Sequence, residues 1–270
     1  MLIFPNAKIN LGLNIISRRS DGFHNIQTVL YPVDIKEALE IVEADELLFS
    51  SSGIPIPGIP EKNLCLKVYH LLSKDVKLPF VHIHLHKQIP VGAGLGGGSA
   101  DAAFCIRLLN QKFGLGFSVS LMQDYARQLG SDCAFFIENR PVLASAKGDV
   151  FKPVNLSLKN YFVVLIMPPI HVSTADAYQN VKPALFDFNL EELESLAVDQ
   201  WKEYLINDFE EPVFRLYPQI KAIKDELYQS GALYASMSGS GASVFGIFNN
   251  EIKLPNFEKN NQVFYGICSG

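Results

Sequence analysis

The stretch PVGAGLGGGSADAA, residues 90–103, holds five glycines between a segment with strand periodicity and a segment of helix-forming residues. The preceding residues 80–86, FVHIHLH, alternate in polarity with the period of two that indicates a strand. The following residues 100–113, ADAAFCIRLLNQKF, are predicted to form a helix. We call residues 90–100 the glycine loop. Because glycine lets the main chain approach a bound group closely, we expect this strand–loop–helix arrangement to decide both fold and function.

The glycine loop has three interpretations. A flexible turn accounts for one or two glycines, but not for five of them before a helix. The spacing of Gly92, Gly94 and Gly97 fits the G-x-G-x-x-G pattern of dinucleotide sites, which is weak evidence alone. The preceding strand alternates instead of being apolar on both faces, and no acidic residue follows at the distance of about 20 positions that ribose recognition uses. Both observations count against a dinucleotide site.

The sequence favours the third interpretation, a phosphate-binding loop. Main-chain N–H groups and the positive end of the helix dipole would hold the anion. Ser99 would offer its hydroxyl to a phosphate or to Mg²⁺. Because no lysine precedes Ser99, the loop is not of the G-x-x-x-x-G-K-[ST] type.

Composition limits the class of protein. The chain has 270 residues, of which 48% are hydrophobic and 19% charged, so a well-packed core is expected. We find no apolar run near the ~20 residues of a membrane span, and we expect no targeting segment. The net charge of -5 argues against a general nucleic-acid binder. Four cysteines without a C-x-x-C pair indicate reduced thiols, so we expect a cytoplasmic protein.

Strand and helix patterns are mixed along the rest of the chain without a regular βαβ order. Residues 6–16, NAKINLGLNII, alternate and predict a half-buried strand with a polar second face. Further elements are predicted as a buried strand at 161–167, helices at 190–206 and 218–230, and a strand–glycine turn–strand at 232–248. This mixture predicts an α+β fold, with a domain boundary near residues 153–160.

Three stretches resemble the GHMP kinases, and they occur in the order found in that family. They are AKINLGLNI (7–15), the PVGAGLGGGSADAA stretch and SGSGAS (238–243). The resemblance implies a two-domain architecture: an ATP-binding domain at 1–155, S5-domain-2-like, and a C-terminal ferredoxin-like α+β domain at 156–270. It also implies an enzyme that uses ATP and Mg²⁺. The residues that it assigns to ATP binding are Pro90, Val91, Gly92, Ala93, Gly94, Leu95, Gly96, Gly97, Gly98, Ser99 and Ala100.

Two longer stretches resemble one branch of this family. They are AKINLGLNIISRRSDGFHNIQT (7–28) and LGSDCAFF (129–136). Members of that branch phosphorylate the 2-hydroxyl of a methylerythritol joined to cytidine diphosphate, in the non-mevalonate isoprenoid route. The resemblance implies that Lys8 and Asp132 are catalytic: the aspartate orients or deprotonates the acceptor hydroxyl, and the lysine contacts both. From the residues alone, Lys8 also fits a lysine that reaches solvent, and Asp132 fits a helix N-cap.

The DGFH stretch is the expected site of acceptor recognition. Asp21 and Gly22 predict a turn that presents Phe23 and His24, and the resemblance implies that these two residues bind cytosine by stacking and hydrogen bonding. Phenylalanine stands at 23 where tyrosine is commoner in the family, so the stacking surface is kept without the hydroxyl. Without the resemblance, an aromatic core anchor and a solvent-facing histidine explain the same residues.

The remaining acceptor residues follow from the resemblance. Tyr178 in HVSTADAY (171–178) is expected on the other face of the cytosine ring, and Thr174 near the acceptor. A helix start and a core position are the alternative interpretation of these two. The other assigned residues are Asn10 on the polar face of the first strand and Ser240 and Gly241 in the SGSGAS turn, which carries amides toward phosphates or only closes the site.

Other functions stay open from the sequence. A GHMP kinase with another alcohol acceptor, such as mevalonate or homoserine, has no cytosine to bind, so the DGFH stretch counts against it. A non-catalytic nucleotide-binding regulator would not need both Lys8 and Asp132. His82, His84 and His86 lie about 7 Å apart and parallel on one strand face, which does not favour a metal site. Apart from Ser99, no side chain is predicted to bind metal, and the oligomeric state is not indicated.

Overall fold

The structure is a computed structural model that describes residues 1–179, 181, 183 and 188–267; Cys268 lies outside them. The strands are β1 (Leu2–Ile3), β2 (Asn6–Arg18), β3 (His24–Lys36), β4 (Ala38–Glu43), β5 (Leu48–Gly53), β6 (Val81–Lys87), β7 (Val142–Ser145), β8 (Val150–Pro153), β9 (Phe162–Met167), β10 (Tyr234–Met237), β11 (Val244–Phe248) and β12 (Gln262–Ile267). The α-helices are α1 (Leu64–Leu72), α2 (Gly97–Phe113), α3 (Val119–Arg127), α4 (Phe135–Glu138), α5 (Thr174–Gln179), α6 (Trp201–Tyr204), α7 (Glu210–Leu216), α8 (Pro218–Gln229) and α9 (Pro255–Glu258). Short 3₁₀ helices span Pro60–Lys62, Leu190–Ser195 and Val198–Gln200.

The chain forms two compact units. Unit 1 comprises Met1–Ala7, Ile35–Val91 and Gly96–Arg140, and unit 2 comprises Lys8–Asp34, Gly92–Leu95 and Pro141–Gly270. These units interleave along the chain, so the boundary between residues 155 and 156 stays a prediction. Each unit combines helices with sheets whose pairings are mostly antiparallel, which confirms the α+β class.

Unit 1 contains a sheet in the order β1-β4-β6-β5, in which β5 runs parallel to β6. The alternation predicted for residues 80–86 is confirmed, since every second residue of β6 is buried. Helix α2 begins directly after Gly96, whose φ of 71° suits glycine, and it is capped at its end by Gly114, whose N–H donates to Asn110 O. Its buried side includes Ala100, Ala103 and other small residues, so the helix can pack closely.

Unit 2 contains two sheets, in the orders β2-β3-β7-β8 and β10-β11-β9-β12. The second sheet packs against α8, where Ile220, Ile223 and Leu227 are buried as their spacing predicts. Pro218 stands in the first turn of this helix, where its missing N–H costs no hydrogen bond. Gly231 follows the helix with a φ of 94°.

Two predictions about these elements are wrong. Strand β2 is not half-buried, because its polar residues Lys8, Asn10 and Asn14 are buried as well as its apolar ones. Residues 190–206 do not form one helix, since Leu196 and Leu205 are extended and divide the segment into short turns. The apolar residues Leu190 and Leu193 are three apart, a spacing that a 3₁₀ turn satisfies equally well.

Within the described residues, none of the helices has the length and the apolar character that a membrane span requires.

Candidate active site

Lys8, one of the two predicted catalytic residues, lies in unit 2. Its side chain is buried, and Nζ donates to Asn10 Oδ1 at 2.6 Å and to Gly94 O at 3.0 Å. Its main-chain N–H donates to Leu95 O at 3.0 Å. Asn10 in turn donates from Nδ2 to Thr28 Oγ1 at 3.0 Å. The ammonium therefore does not reach into bulk solvent but is fixed against the glycine loop, which excludes the alternative of a solvent-reaching lysine.

Gly94 joins the glycine loop to the SGSGAS turn. A Cβ on Gly94 would lie 2.1 Å from Ser238 O, and its φ is 78°. Ser238 Oγ donates to Gly94 O at 2.9 Å, so this carbonyl accepts hydrogen bonds from both Ser238 and Lys8. Ser243 N donates to Ala93 O at 3.3 Å. Only glycine therefore fits at position 94. The three stretches that resemble the GHMP kinases, around residues 8, 94 and 238, contact one another within unit 2.

Asn207 also holds the SGSGAS turn by hydrogen bonds. Its Nδ2 donates to Met237 O at 2.8 Å and to Gly239 O at 2.9 Å, and its Oδ1 accepts from Phe209 N. Asn207 is buried, as is Ser238. Sequence reasoning missed both residues: Ser238 belongs to a turn that was noticed only as a whole, and no motif marks Asn207.

The second half of the glycine loop begins α2 in unit 1. Gly96 has no side chain that could cap this helix. The first-turn N–H groups of a helix lack intrahelical partners, and a 17-residue helix adds the positive end of its dipole. Bare main chain at this helix start fits a phosphate of a nucleotide.

Asp132 lies in unit 1, in the turn before α4. The N-cap of α4 is Ala134, so the alternative of Asp132 as the N-cap is wrong. Burial raises the pKa of the neighbouring Cys133 thiol to about 11; a hydrogen bond with Ser99 lowers this pKa, and the charge of Asp132 raises it. Ser99 and Asp132, both predicted from sequence, are therefore neighbours of the same thiol. Because Lys8 belongs to unit 2, its pairing with Asp132 stays a prediction.

The DGFH turn is held by a local ion pair. Arg19 donates from Nη2 to Asp21 Oδ2 at 3.0 Å, and Asp21 Oδ1 accepts from Phe23 N at 3.2 Å. The hydrogen bond with Arg19 lowers the pKa of Asp21. Phe23 is 54% exposed, and Lys147 Nζ lies 5.3 Å from the centroid of its ring. The turn thus presents an aromatic face to its surroundings.

His24 and Tyr178 form a stacked pair in unit 2. Their ring centroids are 4.7 Å apart with an interplanar angle of 20°, and Tyr178 meets Phe209 edge-on at 4.7 Å. Burial lowers the pKa of His24, which favours the neutral imidazole. Thr174 Oγ1 lies 3.3 Å from Ser240 Oγ. The structure therefore brings together, in pairs, four of the residues predicted for the acceptor.

The three histidines of β6 have a structural explanation. Ser50 Oγ lies 2.7 Å from His82 Nε2 and 2.8 Å from His84 Nδ1, and Ser52 Oγ bonds to His84 and His86. Among the described residues, no group of three or more His, Cys, Asp or Glu side chains is arranged to hold a metal ion.

Comparison with known proteins gives the family. The N-terminal GHMP kinase domain family matches residues 63–140, and the C-terminal family matches residues 181–262. A protein of Bacteroides fragilis named 4-diphosphocytidyl-2-C-methyl-D-erythritol kinase is 52% identical over 258 residues, which cover 94% of each chain. A protein of the same name from Bacteroides thetaiotaomicron is 50% identical over 98% of each chain.

Solved structures agree with this. A crystal structure of 4-(cytidine 5'-diphospho)-2C-methyl-D-erythritol kinase superposes with a TM-score of 0.84 at 28% identity and covers 100% of both chains. A homoserine kinase from Cytophaga hutchinsonii has a TM-score of 0.67 at 18% identity, covering 100% of this chain and 94% of the other, and shows the shared fold alone. The chain belongs to the GHMP kinases and, within them, to the family of 4-diphosphocytidyl-2-C-methyl-D-erythritol kinases.

Proposed function

We propose that this protein transfers the γ-phosphoryl group of ATP to the 2-hydroxyl of 4-diphosphocytidyl-2-C-methyl-D-erythritol, a step of non-mevalonate isoprenoid synthesis. The observation that carries the proposal is identity of about half the residues, over nearly the whole chain, with kinases of that name. The products are the 2-phosphate and ADP. The acceptor oxygen forms a bond to the γ-phosphorus, and the bond from that phosphorus to the bridging oxygen of ADP breaks.

Lys8 is the group that we assign to charge stabilisation. Asn10 Oδ1 and Gly94 O fix its Nζ within the glycine loop region. A fixed ammonium needs no reorganisation when negative charge develops on the transferred group and the acceptor oxygen, and such fixed donors contribute most to catalysis. Mobility of this side chain would reduce that contribution.

Asp132 is the group that we assign to the hydroxyl. An alcohol is a weak nucleophile, so its proton must be accepted as the new bond forms. A carboxylate that neighbours Cys133, and through it Ser99 at the start of α2, lies close to the helix end that fits a phosphate. We propose that Asp132 orients the 2-hydroxyl and takes its proton.

The glycine loop would hold the nucleotide through main-chain N–H groups, with Ser99 as the side-chain oxygen near Mg²⁺. A Mg²⁺ ion held there with the phosphates would supply charge neutralisation, and this ion commonly takes only one or two protein ligands. Ser99 is the third residue of α2, so its hydroxyl lies at the helix start that fits a phosphate.

Cytosine recognition is the part that distinguishes this acceptor from mevalonate or homoserine. We propose that Phe23, His24 and Tyr178 supply the stacking and hydrogen-bonding surface, since one aromatic face is exposed and two rings are stacked nearby. The other acceptor contacts that we propose are Asn10, Asp21, Thr174, Ser240 and Gly241. A cytoplasmic location is also proposed, because Cys65, Cys105 and Cys133 are free thiols.

The test is turnover by the purified protein with Mg-ATP and 4-diphosphocytidyl-2-C-methyl-D-erythritol, followed as ADP release and as the 2-phosphate by phosphorus NMR. Mevalonate and homoserine are offered separately at the same concentration, and Asp132→Asn serves as the control for contaminating kinases. We expect turnover only with the cytidine-linked acceptor. Turnover with only mevalonate or only homoserine would show that this alcohol, and not the cytidine-linked compound, is the acceptor. Nucleotide binding without any turnover would favour a non-catalytic regulator.

A further inference from the structure

A charged cluster is buried beside the glycine loop in unit 1. Lys87, the last residue of β6, donates from Nζ to Glu37 Oε1 at 2.6 Å and to Asp101 Oδ2 at 2.8 Å. The side chains are 2%, 0% and 5% exposed for Lys87, Glu37 and Asp101. We call these three residues the buried triad. The reaction proposed above uses none of them.

The buried triad connects the residues directly before the glycine loop with the residue directly after it. Glu37 Oε2 accepts from the main-chain N–H of Gln88 at 2.9 Å and of Ile89 at 3.1 Å, the two residues directly before the loop. Asp101 is the residue directly after the loop and lies in α2. Lys87 joins the carboxylates of Glu37 and Asp101, so one ammonium connects the entrance of the loop to its exit.

The triad also packs against the start of α2. A Cβ on Gly97 would lie 3.1 Å from Lys87 Nζ and 3.2 Å from Glu37 Oε1. Glycine at the first position of the helix thus lets the main chain lie directly on the triad. The helix start that fits a phosphate rests on charged groups with fixed positions.

Fold stability alone does not explain such a cluster. Buried ion pairs lose solvation that their attraction often fails to recover, and apolar residues of similar size are frequently as stabilising. Asp101 Oδ1 is buried without a hydrogen-bond partner among the described residues, which adds to the cost. Burial raises the pKa of Asp101 to about 7, although Lys87 opposes this rise. A cluster kept at this cost is explained if it fixes geometry.

We propose that Glu37, Lys87 and Asp101 are positioning residues that clamp both ends of the glycine loop, so that its N–H groups are held in place before the nucleotide binds. The inference rests on the proposed function in one respect, that the loop binds ATP. Preorganisation of this kind lowers the entropy that binding must remove, so it acts on nucleotide affinity more than on the acceptor. The three side chains need not touch either substrate.

The experiment compares Lys87→Met with wild type. The dissociation constant of Mg-ATP is measured by calorimetry, and KM is measured separately for ATP and for the acceptor. We expect the ATP constants to rise about tenfold or more, with the acceptor KM changed by less than about twofold. Asp101→Asn keeps an oxygen for Lys87 to donate to, so this single variant should retain most of the wild-type ATP affinity. Leu72→Val, at a buried position of α1, is the control that lowers stability without touching the triad.

The clamp is refuted if Lys87→Met leaves the ATP constants unchanged, or changes ATP and acceptor constants equally, while lowering the melting temperature as Leu72→Val does. Should Lys87→Met not fold, Glu37→Leu carries the same comparison, because it removes the oxygens that accept from Lys87 Nζ and from the N–H groups of Gln88 and Ile89. Wild-type protein that binds Mg-ATP but does not turn over refutes the proposed function and leaves the calorimetric test of the clamp intact.

Discussion

Replacing Gly94 with alanine tests how closely the glycine loop and the SGSGAS turn must pack in unit 2. The new Cβ would lie 2.1 Å from Ser238 O and 3.1 Å from Gly241 O, and both are main-chain atoms that cannot rotate away. A Cβ closer than 3.0 Å to a non-bonded main-chain oxygen is a steric clash, so the two segments must separate by roughly 0.9 Å. The left-handed φ of 78° adds strain of its own.

The loss of stability expected for Gly94→Ala has two parts. A non-glycine residue in the left-handed region costs roughly 1–2 kcal/mol, and overpacking a tight contact costs about 1–3 kcal/mol more. Because Gly94 O also holds Lys8 Nζ, the displacement moves the ammonium. A misplacement of about 1 Å costs about 10²-fold in rate when geometry is critical.

The matched control is Gly231→Ala, in the same unit, where φ is 94° and nothing lies within 4 Å of the added Cβ. Both variants are compared by thermal unfolding and by kcat with saturating substrates. We expect Gly231→Ala to lose only the conformational part of the stability and to keep wild-type kcat, whereas Gly94→Ala loses more stability and about 10²-fold in kcat. If the two variants have equal stability and equal kcat, the close approach does not constrain the site as argued.

Three further predictions concern other residues. Asp132→Asn should lower kcat by about 10²–10⁴-fold, the usual contribution of a general base, with little change in the dissociation constant of ATP; near-normal kcat would exclude the proton-accepting role. Tyr178→Leu removes the ring that stacks on His24 and should raise the acceptor KM by about 5–150-fold, as the loss of roughly 1–3 kcal/mol implies, while an unchanged acceptor KM would place cytosine elsewhere. Since the pKa of Asp101 rises from an ordinary 3.8 to about 7 on folding, this carboxyl binds a proton more tightly in the folded state and its contribution to stability falls as pH rises toward 7. Asp101→Asn should therefore flatten the decline of melting temperature between about pH 4 and pH 7, and an unaltered slope would contradict the assignment.

Local patterns predicted the elements that depend on local physics. The alternation of β6 and the spacing of Ile220, Ile223 and Leu227 in α8 are confirmed because each follows from one buried face. The glycine loop was placed correctly between a strand and a helix, although α2 begins at Gly97 and includes glycines that have low helix propensity. At Gly97, the close approach of the main chain to Lys87 and Ile89 outweighs the low helix propensity of glycine.

Contacts between distant segments could not be predicted from the chain. Ser238 bonds to a carbonyl 144 residues away, and Asn207 bonds to carbonyls about 30 residues away, without a spacing that marks either. The polar residues of β2 were expected on an open face because polar side chains usually seek solvent. Of these, Lys8 and Asn10 are buried because partners from the glycine loop and from β3 satisfy them.

The hydrogen bonds between β2 and residues 206–208 have a consequence for synthesis of the chain. Leu13 N donates to Ile206 O, Asp208 N donates to Leu13 O, and Ile15 N donates to Asp208 Oδ2 across 193 residues. At a translation rate of about 5–20 residues per second, the emerging strand waits roughly 10–40 s for these acceptors and donors to leave the ribosome. During that interval β2, with its apolar residues such as Ile9 and Leu11, lacks the hydrogen bonds that residues 206 and 208 provide. Slow-translating codons downstream of β2 would lengthen the exposure, and chaperone demand during expression should rise with them.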